Sequence, residues 1–163
     1  MKNVDFIQQK IYTLPDLVHK LAQVRLTGSK VSFTNGVFDI LHPGHISSLS
    51  QAAAEGDFLV VGLNADGSVK RLKGDERPLN DQRSRALLLA SLIIIDAVII
   101  FEEDTPLELI KTLMPDVIVK GGDYTVDQVA GAKEVIAAGG RVVINKIVEG
   151  FSTTGMIAKI RNL

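Results

Sequence analysis

The stretch Lys30–Leu49, KVSFTNGVFDILHPGHISSL, decides how the rest of the chain is read. Val31 to Thr34 is a β-prone run. Asn35-Gly36 then permits a sharp turn, because Gly tolerates positive φ and Asn tolerates it better than most residues. After Phe38-Asp39 the chain delivers His42-Pro43-Gly44-His45. Pro43 suits the first turn of a helix, where its missing N–H costs nothing. A helix N-terminus offers free N–H donors and a partial positive charge to a phosphate. Two imidazoles stand beside that anion site, so the segment reads as a strand, a turn and a phosphate-holding helix start.

Outward from this unit, strands alternate with helices. Residues 1–29 form a helical preamble in which Leu17, Leu21 and Val24 share a face after Pro15-Asp16, ending at Thr27-Gly28-Ser29. The helix from Pro43 to Glu55 turns Ile46, Leu49, Ala52 and Ala53 inward and stops at Gly56. Phe58 to Leu63 is a continuous apolar run, as expected of a strand covered on both faces. Asn64 to Gly74 reads as a polar, basic connection, and Asn80 as the cap of a helix reaching about Ile93. Ala97–Phe101 and Val117–Val119 are further strands, separated by a helix with Thr105 as cap and Pro106 first. Gln128–Ala138 reads as a helix closed by Gly139-Gly140, and Arg141–Ile144 as a fifth strand. Ser152 to Thr154 open the last helix, with Met156, Ile157 and Ile160 on its inner side.

This alternation implies right-handed crossovers and an α/β fold: a Rossmann-like, doubly wound sheet of about five parallel strands with flanking helices. The whole chain, 1–163, is expected to be one domain. Ligands of such sheets sit beyond the carboxyl ends of the strands, at the switch point. Asn35, Asn64, Glu102, Lys120 and Asn145 all follow apolar runs and fall on that edge.

Composition narrows the function classes. A domain of 163 residues buries roughly two-thirds of its unfolded surface. The net charge of −1 gives no global reason to expect nucleic acid, so an anion site must be local. Absence of Cys fits a reducing compartment. The N-terminus MKNVDFIQQK lacks the apolar core of a signal peptide. No apolar run approaches the roughly 20 residues that span a bilayer. A cytoplasmic protein with no membrane partner is the expectation.

Single residues carry less. His19 reads as a surface histidine on the preamble. HxxH without a third ligand or Cys is a weak zinc signal. Ser152-Thr153-Thr154 alone is a helix cap, and Lys70, Arg71 and Lys73 alone are a solvated surface. Lys120-Gly121-Gly122-Asp123-Tyr124 follows a strand into a loop whose glycines let backbone approach a ligand, although the same residues suit a plain turn.

Taken together, T-N-G-x-F-D-x-x-H-x-G-H resembles the signature of the cytidylyltransferase-like nucleotidyltransferases. The likeness continues through Asn64-Ala65-Asp66, Val69 to Gly74, Phe101 to Pro106, Pro115 to Tyr124 and Gly150 to Thr154, in family order. These segments resemble the heptose-1-phosphate adenylyltransferase branch, as a free-standing chain; a piece of a longer bifunctional chain is the alternative. Val37 and Phe151 stand where that branch often has Cys, and Ala65 where it often has Ser. The resemblance implies transfer of AMP from ATP, with Mg²⁺ held largely by the phosphates and no protein ligand named.

On that reading His42 and His45 donate hydrogen bonds to the triphosphate, within a pocket that includes Asn35, Gly36, Phe38 and Gly44. Ser152, Thr153 and Thr154 meet the β- and γ-phosphates. A cation must screen two phosphorylated substrates from each other, and Lys73 is preferred over Lys70. Arg85, rather than Arg83, forks onto a phosphate. Asp39 supports the site or a metal, and Asp66, Lys120, Gly122 and Asp123 contact nucleotide or sugar. Small-molecule partners follow, ATP and heptose 1-phosphate, and a homodimer through helices flanking the site is allowed. Cytidylyl transfer onto glycerol 3-phosphate or a similar alcohol, a silent nucleotide-binding regulatory domain and a structural metal module are the competing readings.

Overall fold

The computed structural model describes residues 5–122, 124–146 and 150–162. Five strands form one parallel sheet in the order β3-β2-β1-β4-β5: β1 (Val31–Gly36), β2 (Phe58–Asn64), β3 (Ala97–Phe101), β4 (Val117–Gly121) and β5 (Arg141–Asn145). The chain winds outward from β1 to β3, then returns past β1 to place β4 on its other side. The switch point therefore lies between β1 and β4, directly below the histidine segment.

Alternate strand residues feed two separate cores. Helices α2 (Leu14–Leu26), α6 (Leu107–Leu113) and α7 (Ala132–Ala137) cover one face, where Leu17, Leu21, Ile110 and Val135 meet Phe33, Val60 and Ile118. Helices α3 (Pro43–Ala53) and α5 (Gln82–Ala90) cover the other, where Leu49, Ala52 and Leu89 meet Leu59, Val61 and Val119. Burial on both faces is why β2 reads as an unbroken apolar run rather than an alternating one.

The preamble has a second role. A short α1 (Asp5–Gln8) precedes Lys10–Tyr12, which runs beside the outer edge of β3: Ile11 bridges Val98, Tyr12 N–H donates to Val98 O at 2.9 Å, and Val98 N–H donates to Lys10 O at 2.7 Å. An edge strand's free N–H and C=O groups are thereby covered.

Several boundaries differ from the sequence reading. Asp66–Lys73 is a helix, α4, not an irregular connection; Asp66 opens it and Lys70, Arg71 and Lys73 close it, the charge order that suits a helix dipole. Asp81, not Asn80, caps α5, its carboxylate accepting from the N–H groups of Arg83 and Ser84. The segment after β4 is split into a 3₁₀ turn (Val126–Gln128) and α7, because Gly131 adopts φ 80 between them. Ile46 and Ile160, expected inside, are 38% and 62% exposed. The last helix, α8, covers Thr153–Arg161.

The amino edge of the sheet is pinned by carboxylates. Asp57, Asp96 and Asp116 each precede a strand and accept a main-chain N–H from the neighbouring strand's beginning. Lys30 donates to Asp57 at 2.8 Å, Leu59 to Asp96 at 2.8 Å and Val31 to Asp116 at 2.9 Å. Asp116 also accepts from Lys30 Nζ at 2.7 Å. Burial alone would push the Asp116 carboxyl up, but Lys30 and the Val31 N–H outweigh it and hold it below the usual range. Asp116→Ala leaves a buried N–H unpaired and should cost about 1–3 kcal/mol by urea unfolding. Lys30→Ala removes only an exposed ion pair and should cost about 0–1 kcal/mol. Equal losses would assign the effect to the ion pair and not to the strand staple.

Candidate active site

His42 is the N-cap of α3. Its backbone is extended, and its ring Nδ1 accepts the main-chain N–H of His45 at 3.3 Å. A neutral imidazole that accepts at Nδ1 carries its proton on Nε2, so the capping bond leaves Nε2–H as a donor. The two imidazoles stack, with centroids 3.7 Å apart and planes 18° from parallel. Phe38 meets His45 edge-on at 5.2 Å, and Phe151 lies beyond His42 at 6.4 Å.

Both rings are held below the ordinary histidine range. Burial does this for His42, against a hydrogen bond to its own backbone. His45 is pushed down to about 4 by burial first and by His42 second, with the Ile40 carbonyl opposing. The pair is therefore neutral at neutral pH. His45 Nδ1 and Asn145 Nδ2 are buried with no hydrogen-bond partner among the described residues. Such orphaned groups mark a place where a ligand or water completes the bonding.

Glycines set the shape of this segment. Phe38 takes a left-handed φ of 47, and a Cβ on Gly36 would come within 2.9 Å of its ring. A Cβ on Gly44 would sit 3.1 Å from the His42 ring and 3.2 Å from Phe151 Cβ. Both glycines therefore work by close approach around the stacked rings.

Two expected ligand groups point elsewhere. Arg85, placed on a phosphate by the sequence reading, is 0% exposed and engaged on every side. Its Nη1 donates to Val37 O at 2.6 Å and Asn64 O at 2.9 Å, its Nε to Asn80 O at 2.9 Å, and its Nη2 to Asp66 Oδ1 at 2.6 Å. It is an internal strut, and Asp66 is its counter-ion. Asp39 is equally committed: its carboxylate accepts from Arg77 Nε at 2.7 Å and from the N–H groups of Leu79 and Asn80. Burial would raise its carboxyl, but the Asn80 and Leu79 N–H groups and the Arg77 guanidinium outweigh it and hold it low. Both of its oxygens are thus engaged by neighbouring donors. Among the described residues no group of three or more His, Cys, Asp or Glu could hold a metal ion.

Of the remaining residues, Asn35, Gly36, His42, Gly44, His45, Lys73, Lys120 and Thr154 border three cavities. One of about 340 Å³ is lined by Asn35, Gly36, Asn64, Lys73, Lys120 and Tyr124. Lys120 Nζ donates to Asn35 Oδ1 at 3.1 Å and lies 5.5 Å over the Tyr124 ring, and burial draws its pKa down. A second, of about 170 Å³, lies against His42, Gly44, His45, Lys146 and Phe151. The third, of about 480 Å³, is bounded by Lys73, Arg77 and Thr154. Exposed Lys73 thus borders two of the three.

Ser152 caps α8 by accepting the Gly155 N–H at 3.0 Å, and Thr153 and Thr154 form its first turn. Gly122 takes φ 125 and donates its N–H to Asn145 O, while Asp123 lies outside the described residues. The sequence reading did not single out Arg77 or Lys146. Lys146 follows a strand, the same signal that marked Lys120. Arg77 sits in a loop before Pro78, where nothing in the sequence announces its partner.

The depressed His45 predicts a pH effect. A group that binds its proton less readily when folded stabilises the fold above its unfolded pKa and loses that contribution as pH falls. The melting temperature should fall between pH 6.5 and about 4 as His45 is forced to protonate. His45→Asn should flatten that slope; an unchanged slope would remove His45 as its source.

The family model for cytidylyltransferase-like proteins matches residues 33–159. The bifunctional protein HldE of Mesorhizobium japonicum is 60% identical over 82% of this chain and 27% of its own length. That of Rhodospirillum rubrum is 54% identical over 93% of this chain and 30% of its own. The chain thus spans under a third of the length of these relatives. Among solved structures, the lipopolysaccharide core biosynthesis protein of Thermoplasma volcanium aligns with TM-score 0.61 and 33% identity, over 74% of this chain and 98% of that one. The pantoate-β-alanine ligase of Francisella tularensis shares the fold alone, with TM-score 0.61 at 15% identity over 94% and 72% of the two chains. With His42 capping a helix at the switch point and the match covering the segment from β1 to α8, this chain belongs to the cytidylyltransferase-like family of nucleotidyltransferases.

Proposed function

We propose that this chain transfers AMP from ATP to D-glycero-D-manno-heptose 1-phosphate, giving ADP-heptose and pyrophosphate for surface-polysaccharide synthesis. The observation that carries the transfer step is the neutral, stacked His42–His45 pair at the N-terminus of α3. The base and sugar rest on the resemblance to heptose-1-phosphate adenylyltransferases, supported by the identity to HldE proteins and the likeness to a lipopolysaccharide core biosynthesis protein.

An oxygen of the sugar's anomeric phosphate attacks the α-phosphorus of ATP. The bond from that phosphorus to the bridging oxygen breaks, and its electron pair leaves with pyrophosphate. No covalent enzyme intermediate is needed, so catalysis is positioning plus stabilisation of charge. His42 Nε2–H is a donor fixed in place before the charge develops. Lys73 reduces repulsion between the two phosphorylated substrates. Ser152, Thr153 and Thr154 bring a second helix N-terminus to the phosphates. Magnesium belongs to this reaction as part of the nucleotide substrate. Residues 1–163 act as one catalytic domain, in the cytoplasm, on small molecules.

The test is pyrophosphate release with ATP, CTP, GTP and UTP against heptose 1-phosphate anomers and glycerol 3-phosphate. Turnover only with ATP and a heptose 1-phosphate is expected. Turnover of CTP with glycerol 3-phosphate would keep the mechanism and replace the substrates. His42→Ala or His45→Ala should lower kcat by about 100- to 1000-fold, the usual loss of one preorganised donor. Lys73→Ala should raise KM for either substrate or lower kcat, whereas unchanged kinetics would return Lys73 to the surface.

A further inference from the structure

Arg77 has a divided guanidinium. Its Nε donates to Asp39 Oδ2 at 2.7 Å, and its hydrogen bonds to described residues use that atom alone. The Asp39 side chain is only 1% exposed and that of Arg77 is 17% exposed. Asp39 is itself fixed by the Leu79 and Asn80 N–H groups, and Asn80 Nδ2 returns a bond to Asp39 O at 2.7 Å. The arginine is thus anchored through one nitrogen at a rigid point three residues before His42. Beside it opens the cavity of about 480 Å³, whose wall includes Lys73, Gly74 and Thr154. Lys73 connects this cavity to the one above β1 and β4, and Thr154 belongs to the first turn of α8. Asp75 and Glu76 share the rim, so the cavity carries no large excess of positive charge and must select by geometry.

A guanidinium held by Nε keeps its two Nη groups as a planar fork, the arrangement that matches phosphate oxygens. We infer that Arg77 is a substrate-contacting residue, anchored by Asp39 and presenting its fork to the anionic end of the triphosphate that leaves as pyrophosphate. This rests on the nucleotidyl-transfer reading. It gives Asp39 a positioning role through Arg77, the supporting alternative of the two read from sequence, and not the metal one.

The side chain of Gln carries Nε2 at the same number of bonds from the backbone as Arg Nε. Arg77→Gln can therefore keep the bond to Asp39 while deleting the fork. Titration calorimetry with magnesium pyrophosphate and, separately, AMP should be run on the wild-type chain and Arg77→Gln, with melting temperatures alongside. Pyrophosphate affinity should fall by about 10- to 150-fold, as for a lost charge-assisted hydrogen bond, with AMP affinity held. The melting temperature should fall too, because buried Asp39 loses its counter-charge, and binding is read where both proteins are folded. Arg77→Lys, which restores a cation without the fork, should recover part of the loss. Unchanged pyrophosphate affinity in Arg77→Gln, no pyrophosphate binding by the wild type, or equal loss of AMP and pyrophosphate would each overturn the inference. Wild-type binding that depends on Arg77, with no turnover of any nucleotide pair, would keep this contact and refute the transfer reaction.

Discussion

A guanidinium sealed from water holds the carboxyl edge of this protein together. Parallel strands end with carbonyl groups that have no partner in the sheet, and the loops after β1 and β2 turn two of them, Val37 O and Asn64 O, inward. Arg85 satisfies both with one nitrogen and reaches Asn80 O and Asp66 with the others. Burying a charge costs several kcal/mol unless a counter-charge and hydrogen bonds compensate. Arg85 has a carboxylate and three carbonyls, which use its planar set of donors in a way a lysine could not reproduce. The histidine loop, the start of α4 and the loop before α5 are therefore positioned by a single side chain. Asp39 adds a second tie between the first and last of these.

The two edges of the sheet are chemically opposite. At the amino edge, Asp57, Asp96 and Asp116 satisfy main-chain N–H groups and set where each strand begins. At the carboxyl edge, Asp39 and Asp66 are turned onto Arg77 and Arg85. What faces the cavities includes imidazoles, Lys73, Lys120, Lys146 and Arg77. A chain of net charge −1 thus gathers cations along one edge by turning Asp39 and Asp66 onto arginines, while Asp75, Glu76 and Asp104 remain in the cavity walls.

Periodicity made the architecture legible. The apolar runs at 58–63 and 97–101 are the length of strands buried on both sides, and the strand–helix alternation then fixes a parallel sheet. The histidine segment was legible because its chemistry is local: Pro43 starts the helix and His42 caps it within a few residues. What sequence could not disclose was long-range pairing. Arg85 and a phosphate-binding arginine have the same local signature, and only the approach of Val37 and Asn64, dozens of residues away, distinguishes them. The partners of Asp39 were hidden for the same reason, since residues 77–80 come from another loop. Helix α4 was missed because its polar composition mimics a connection, although Asp66 at its start and basic residues at its end match the helix dipole. Ile46 and Ile160 were misplaced because helical spacing gives a face but not the extent of what covers it.

Neutral imidazoles are an apparent oddity in a site proposed to hold phosphates, and the geometry gives the reason. Two imidazolium rings 3.7 Å apart would repel strongly where water is excluded. Burial removes that difficulty by keeping both uncharged, and the capping bond at His42 Nδ1 directs its remaining N–H outward. The site then divides its labour. Oriented dipoles, the His42 N–H and the first turns of α3 and α8, stand at the centre and need no counter-ions or reorganisation. Full charges stand at the periphery, on Lys73, which is exposed to solvent, and on Arg77, which Asp39 sustains, while burial draws down the pKa of Lys120. In the proposed transfer, negative charge moves from the α-phosphorus towards the departing pyrophosphate. An arrangement that is dipolar at the centre and cationic at its margin lowers the barrier to that movement of charge.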